Sequence, residues 1–414
     1  MGFFKKSNGG FMHRKKNSRV FIFGAGVSKA AAGAPLMEEL FSKMRERYEY
    51  EKQRKDLSEG NNRVLLFEEI EEFMEKLERK AKKRFNQIEK NEKNLQIKSK
   101  IREDIEYLIT LLDIHTEHGS MFKFEQPGVD WDTYPFIPFD NIDRKEIMKI
   151  RNGLETYLYL CLCNLKDKNG IFEKFFQRQL RPDDYLVTFN YDLLTEEALL
   201  QINKWSPLGG YVGVEEFGKK QDREDLINSN LNSSAHKILK LHGSINWEWE
   251  CPWLYPETHP GNANPVINLD NLEKWGFFFP ELEKILKREP TQPSGRRDRL
   301  ISKGYTGGYS PLPWILPSYV KVFSKAPFLV KIWREAQRVL SQAKHLVVLG
   351  YSFPEADSQS QLLLASLPDD CSILIVDPDA EKIKVRIDKL FQFPDVLVEN
   401  IGFEEWVKKG CPEI

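Results

Sequence analysis

Several absences bound what this chain can be. Its 414 residues include only five cysteines: Cys161, Cys163, Cys251, Cys371 and Cys411. An odd number with no Cys-x-x-Cys pair argues against a disulfide framework and a zinc ribbon, and suits a reducing cytoplasm. No apolar run reaches the ~18 residues that a membrane span needs. The basic N-terminus (Lys5, Lys6, Arg14, Lys15, Lys16, Arg19) lacks the apolar core of a signal peptide and reads as a mobile tail. Charge of one sign is also missing: 61 basic residues face 62 acidic ones, for a net charge of -1. That balance gives no electrostatic reason for a nucleic-acid partner, so any such contact is expected to be indirect. No clustered carboxylates suggest paired metal ions, which disfavours a nuclease. His115 and His118, with Asp113 and Glu117 nearby, have the spacing of one helix face. They read as a polar helix end rather than a metal site, and no metal is expected.

What the sequence does contain is six short apolar runs, each read as a buried parallel strand. They are Val20–Phe23, Tyr185–Phe189, Ile238–Leu241, Leu346–Leu349, Ile373–Val376 and Val396–Val398. Most end directly in a polar residue or glycine. Ligands of open α/β sheets bind at the carboxyl ends of strands. Gly24, Asn190, His242, Gly350 and Asp377 are therefore expected along one edge.

The fold class that follows is α/β: a Rossmann-like parallel sheet with a large helical insertion. Residues 17–50 and 181–414 are assigned to the sheet domain, with a loop and helix insertion at about 248–340. Residues 51–180 are assigned to the helical insertion. Helical apolar spacing occurs over 60–84, 101–113, 146–164 and 171–180. Between these lie a polar stretch at 85–100, read as a solvated face, and an irregular one at 119–143. The later interruption holds Cys251-Pro252-Trp253 and a Gly/Pro-rich loop at 303–313, before a helix from about 326 to 340. The helical insertion is expected to form a symmetric homo-oligomer.

The first strand runs into Gly24-Ala25-Gly26, a turn that lets backbone approach a pyrophosphate and leaves amides at a helix N-terminus. Position 29, where a third glycine would complete the dinucleotide fingerprint, is Lys29. Ser28, Gly33 and Pro35 instead complete Gly-Ala-Gly-x-Ser-x-x-x-x-Gly-x-Pro. With this pattern the chain resembles the sirtuin superfamily, and three further blocks match in order. Thr188-Phe189-Asn190-Tyr191-Asp192 resembles the Thr-x-Asn-x-Asp block. Lys240-Leu241-His242-Gly243-Ser244 resembles the block carrying the family's catalytic histidine. Gly350-Tyr351-Ser352-Phe353 resembles the Gly-x-Ser cofactor loop, and Asp377-Pro378 stands where sirtuins read the adenosine ribose.

Two departures matter. The four-cysteine zinc module of the deacylases is reduced to Cys251. Their Asp-Phe-Arg is replaced by Leu36-Met37-Glu38 after Pro35. The chain is thus most similar to the sirtuin-like NADases of bacterial antiphage defence, which hydrolyse NAD when activated. The resemblance implies NAD as substrate, no zinc, and a separate activating partner such as a HerA-type ATPase or a short Argonaute. It implies that Asn190 orients the nicotinamide ribose and water, that His242 is the base, and that Asp192 orients polar groups or caps the helix after it. Gly24, Ala25, Gly26 and Ser28 would cradle the pyrophosphate. Gly350 and Ser352 would close the second nucleotide half. Tyr191 and Trp247 are read as pocket or core, and Asp357 as the cap of a helix over 358–367. Two other functions use the same site: an NAD or ADP-ribose sensor without turnover, and an ADP-ribosyltransferase.

Overall fold

The computed structural model describes residues 18–53, 67–76, 79, 105–118, 144–163, 165–217, 224, 236–249, 265–268, 314–319, 321, 323, 326–354 and 357–412. The basic segment 1–17, the stretches 85–100 and 119–143, Cys251-Pro252-Trp253 and the loop 303–313 lie outside them, as do the side chains of His115 and His118. Arg19, expected in the tail, is instead the first residue of a buried strand.

Six strands form one sheet: β1 (Arg19–Phe23), β2 (Tyr185–Thr188), β4 (Ile238–Lys240), β7 (His345–Leu349), β8 (Ser372–Val376) and β9 (Val396–Glu399). Every neighbouring pair is parallel, in the order β4-β2-β1-β7-β8-β9. Counted by chain entry, this is 3-2-1-4-5-6, the order of a Rossmann-like sheet. The order reverses between β1 and β7, so the switch point, beside which ligands of such sheets bind, lies at Gly24 and Gly350. A smaller sheet pairs β3 (Glu215–Phe217), β6 (Pro265–Asn268) and β5 (Glu248–Trp249).

Strand β1 is buried along its whole length, as a central parallel strand covered on both faces must be. Phe21 and Phe23 lie against an aromatic layer. Phe172, Phe175 and Phe176 come from α5 (Ile171–Gln179), and Phe403 and Trp406 from α10 (Phe403–Lys408). Full burial of each phenylalanine contributes about 1.5–3 kcal/mol. At the far end from the ligand edge, the Arg19 guanidinium meets the Asp184 carboxylate at 2.8 and 3.1 Å, with both side chains buried. This pair ties the start of β1 to the entry of β2.

The remaining helices are α1 (Ala25–Ala32), α2 (Met37–Gln53), α3 (Ile105–His118), α4 (Arg144–Leu162), α6 (Leu194–Gln201), α7 (Leu329–Leu340), α8 (Ser358–Leu364) and α9 (Ala380–Leu390). Helix α2 packs on α3 and α4. Tyr48 of α2 stacks on Phe67, which meets Tyr157 of α4 edge-on. Helix α5 belongs instead to the layer on the sheet, through its phenylalanines.

Candidate functional site

The parallel register carries the chemistry-bearing residues to one edge. Thr188 pairs with Lys240, and the Leu241 amide donates to the Thr188 carbonyl at 2.9 Å, so Asn190 and His242 leave adjacent strands at the same level. Gly24 follows β1, Gly350 follows β7 and Asp377 follows β8.

The glycine turn is an interlock between two loops. The Gly24 amide donates to Leu349 O at 3.0 Å, and the Gly26 amide to Gly350 O at 2.9 Å. A Cβ on Gly24 would lie 2.4 Å from Gly350 O, and one on Gly350, whose φ is +59°, would lie 2.5 Å from the Val27 nitrogen. No side chain fits at either place. The Val27 amide donates back to Gly24 O at 3.2 Å, so the first amides of α1 are largely engaged within the protein. Gly33 ends α1 in the left-handed conformation, and Pro35 follows it half-buried.

The candidate residues divide by exposure. Ala25 and Ser352 are exposed, and Gly26, Asn190, Gly350 and Asp377 are half-buried. These face the edge and can touch a ligand. Ser28, Thr188 and Asp192 are buried and hold Asn190 in place. Tyr191 is buried, and His242 is buried to 7% exposure. Thr188 Oγ1 accepts the Asn190 amide at 3.0 Å. Asn190 Nδ2 donates to Gly24 O at 2.8 Å and to Ser28 Oγ at 2.9 Å. Because a carbonyl oxygen only accepts, the amide nitrogen must face Gly24, which leaves Oδ1 as the open acceptor. Among the described residues nothing donates to it. Ser28 Oγ in turn donates to Asp192 Oδ2 at 2.7 Å, while Asp192 Oδ1 accepts the Leu194 amide at 3.1 Å. Asp192 thus holds the first amide of α6 from one residue before its N-cap, Leu193, and anchors the Ser28–Asn190 chain. Asp377 Oδ1 accepts the Asp379 amide at 2.8 Å, and burial raises its carboxyl above the usual range.

His242 sits among Phe189, Tyr191 and Trp333, with ring centroids 5.2, 5.8 and 6.5 Å away. Its Nε2 lies 3.3 Å from Asp357 Oδ2. Burial, with Lys321 adding to it, lowers the imidazole below its ordinary 6.5 despite the pull of Asp357, so the ring is neutral near neutral pH. Burial works to raise the Asp357 carboxyl, but His242, Lys321 and Tyr351 together hold it below the usual carboxylate range. Asp357 also caps α8 by accepting the Ser360 amide at 3.2 Å, as its position before that helix predicts. Tyr191 spends its hydroxyl on Ile315 O at 2.6 Å, and Trp247 is fully buried, so Trp247 belongs to the core.

Two supports were not legible in the sequence. Under the Asn190 loop, buried Lys240 pairs with buried Glu196 at 2.8 Å and donates to the carbonyls of Tyr191 and Asp192. Behind the His242 loop, Trp314 bridges to Gly243, and Ile315 donates its amide to His242 O at 2.9 Å. Trp314 Nε1 donates to Glu155 Oε1 of α4 at 2.5 Å, and Glu155 lies 3.7 Å from Arg151, which pairs with Asp113 of α3 at 2.7 Å. Lys240 follows an apolar run and Trp314 stands in an aromatic-rich stretch. Neither signal names a partner 44 or 159 residues away.

Among the described residues no group of three His, Cys, Asp or Glu is placed to hold a metal ion, and no helix is long and apolar enough to cross a membrane. The class these observations define is an α/β protein with a Rossmann-like sheet and a polar site at its switch-point edge. No family model matches the chain, and no curated protein matches it. Among solved structures it is similar to the crystal structure of Sir2 in complex with the inhibitor EX-527, 2'-O-acetyl-ADP-ribose and a deacetylated p53 peptide. The match has 12% identity and a TM-score of 0.33, over 95% of this chain and 92% of that one. The fold assignment rests on the strand order.

Proposed function

We propose that the protein hydrolyses NAD at the nicotinamide–ribose bond, releasing nicotinamide and ADP-ribose. The observation that carries this reading is the pairing, at one strand edge, of Asn190 with an open Oδ1 and a neutral, buried His242 backed by a carboxylate. The leaving group is a cationic pyridinium that departs as neutral nicotinamide, so no general acid is needed. The ribose passes through an oxocarbenium-like state. What the protein must supply is orientation and a place for one proton. Asn190 Oδ1 accepts from a ribose hydroxyl or from the attacking water. The water oxygen bonds to the anomeric carbon as the C–N electron pair leaves with nicotinamide, and His242 takes the water's proton. Asp192 acts through Ser28, holding the Asn190 amide. Ala25, Gly26, Gly350 and Ser352 line the pyrophosphate side, and Asp377 the adenosine ribose. The sheet domain carries this site, and α3 and α4 of the helical insertion back it through Asp113, Arg151 and Glu155. By the resemblance to defence NADases, turnover is held in check until assembly or an activating partner releases it.

The test is nicotinamide release from NAD by the purified protein, alone and with the product of a neighbouring gene. Release that disappears in Asn190→Ala and in His242→Ala supports the reading. NAD that binds without release under all conditions makes the chain a sensor. Label recovered on protein rather than as free ADP-ribose makes it a transferase.

A further inference from the structure

We propose that Asp357 is the positioning residue for His242: its fixed carboxylate takes the imidazole Nε2–H and leaves the other ring nitrogen to accept a proton. The inference deepens the hydrolase reading and rests on it for its kinetic part. Four groups converge on this buried carboxylate. Tyr351 Oη donates to Oδ2 at 3.0 Å, the Ser360 amide donates to Oδ1 at 3.2 Å, Lys321 Nζ stands 4.0 Å from Oδ2, and His242 Nε2 stands 3.3 Å from it. The Nε2 atom is itself buried and has no well-aligned hydrogen-bond partner among the described residues, so a small rotation of the ring completes the contact. Tyr351 is held in turn by face-to-face stacking on Phe189 at 4.0 Å, the same ring that meets His242 edge-on.

The physical reason for a choice of nitrogen is a competition. The imidazole also feels the Phe189 carbonyl as an acceptor. A neutral imidazole has one N–H and cannot satisfy both. The hydrogen bond to an ionised carboxylate is the stronger, so Asp357 decides the tautomer. Other ionisable groups face this pair: Lys321 acts on both members, Tyr191 lies beside His242, and Glu106 of α3 acts on Tyr191 and Tyr351. Asp357 follows Gly350 and Ser352 on the β7–α8 connection, so the loop expected to touch the nucleotide also delivers the partner of the base.

Asp357→Asn tests this, because asparagine keeps the helix cap while removing the charge. In the full chain labelled with nitrogen-15 histidine, His242 is assigned by its loss in His242→Asn and titrated by NMR. The expected result is an Nε2–H tautomer in the native protein, a shift toward the other tautomer in Asp357→Asn, and a lower midpoint in that variant. Lys321→Met should raise the midpoint. In parallel, kcat of Asp357→Asn should fall about tenfold or more with KM within about twofold. An unchanged tautomer and midpoint in Asp357→Asn would overturn the proposal whatever the activity. A native protein that releases no nicotinamide but gives the expected titrations would leave Asp357 as partner of His242 and remove the hydrolase reading instead.

Discussion

At the residue scale, Gly350 and His242 show two ways in which position dictates identity. Gly350 combines a left-handed backbone with an approach that leaves no room for a Cβ. Gly350→Ala is expected to lower stability by at least about 2 kcal/mol, from backbone strain and the clash with the β1–α1 turn together. A urea midpoint shifted at constant m would show it. His242 and His236 both have proton affinities lowered mainly by burial. Below the ordinary histidine value of 6.5 the unfolded chain binds these protons more tightly than the folded one. Stability present above 6.5 is therefore lost as pH falls through the lowered folded values. The same lowering keeps the proposed base free at neutral pH, so nicotinamide release should hold a plateau down to below 6.5 before declining. A rate that falls off above 6.5 would assign the base elsewhere.

At the element scale, the sheet could be read from sequence because most of its strands are buried on both faces. The edge strand β9, expected buried, is instead half-exposed, with Leu397 open to solvent. Continuous apolar runs such as Val20–Phe23 and Ile373–Val376 have few other uses, and the residue ending each one marks the ligand edge. The chain order of the runs does not reveal which neighbours pair; the register does. The strands of the small sheet, such as Glu248–Trp249, are too short and mixed to carry a period. Asp357 was legible as a helix cap because capping is local. Its contact with His242 was not, because that depends on two loops meeting. The Lys240–Glu196 pair escaped for the same reason. Glu196→Gln leaves the Lys240 ammonium buried without its counter-charge and should cost about 3–5 kcal/mol, whereas Lys240→Met with Glu196→Leu should recover part of that loss. Denaturation of Glu196→Leu, Lys240→Met and the double measures the coupling. Equal losses that simply add would mean the pair is not coupled.

At the scale of the whole molecule, the site is held from two directions. The sheet supplies Asn190 and His242 from below, while α3 and α4 reach the His242 loop through Asp113, Arg151, Glu155 and Trp314. Trp314→Phe keeps the ring and removes the N–H. It should cost about 1–3 kcal/mol by leaving buried Glu155 with one donor fewer. It should also speed amide exchange over residues 242–245 and 314–316, and unchanged exchange there would separate the helical layer from the site. The central claim is that this edge breaks the nicotinamide–ribose bond of NAD with water. The most direct measurement is incubation of NAD with the protein, alone and with the product of a neighbouring gene, in water labelled with heavy oxygen. The account predicts nicotinamide release, label in the ADP-ribose product, and loss of both in Asn190→Ala and His242→Ala. NAD recovered intact under both conditions, or release undiminished in both variants, would contradict it.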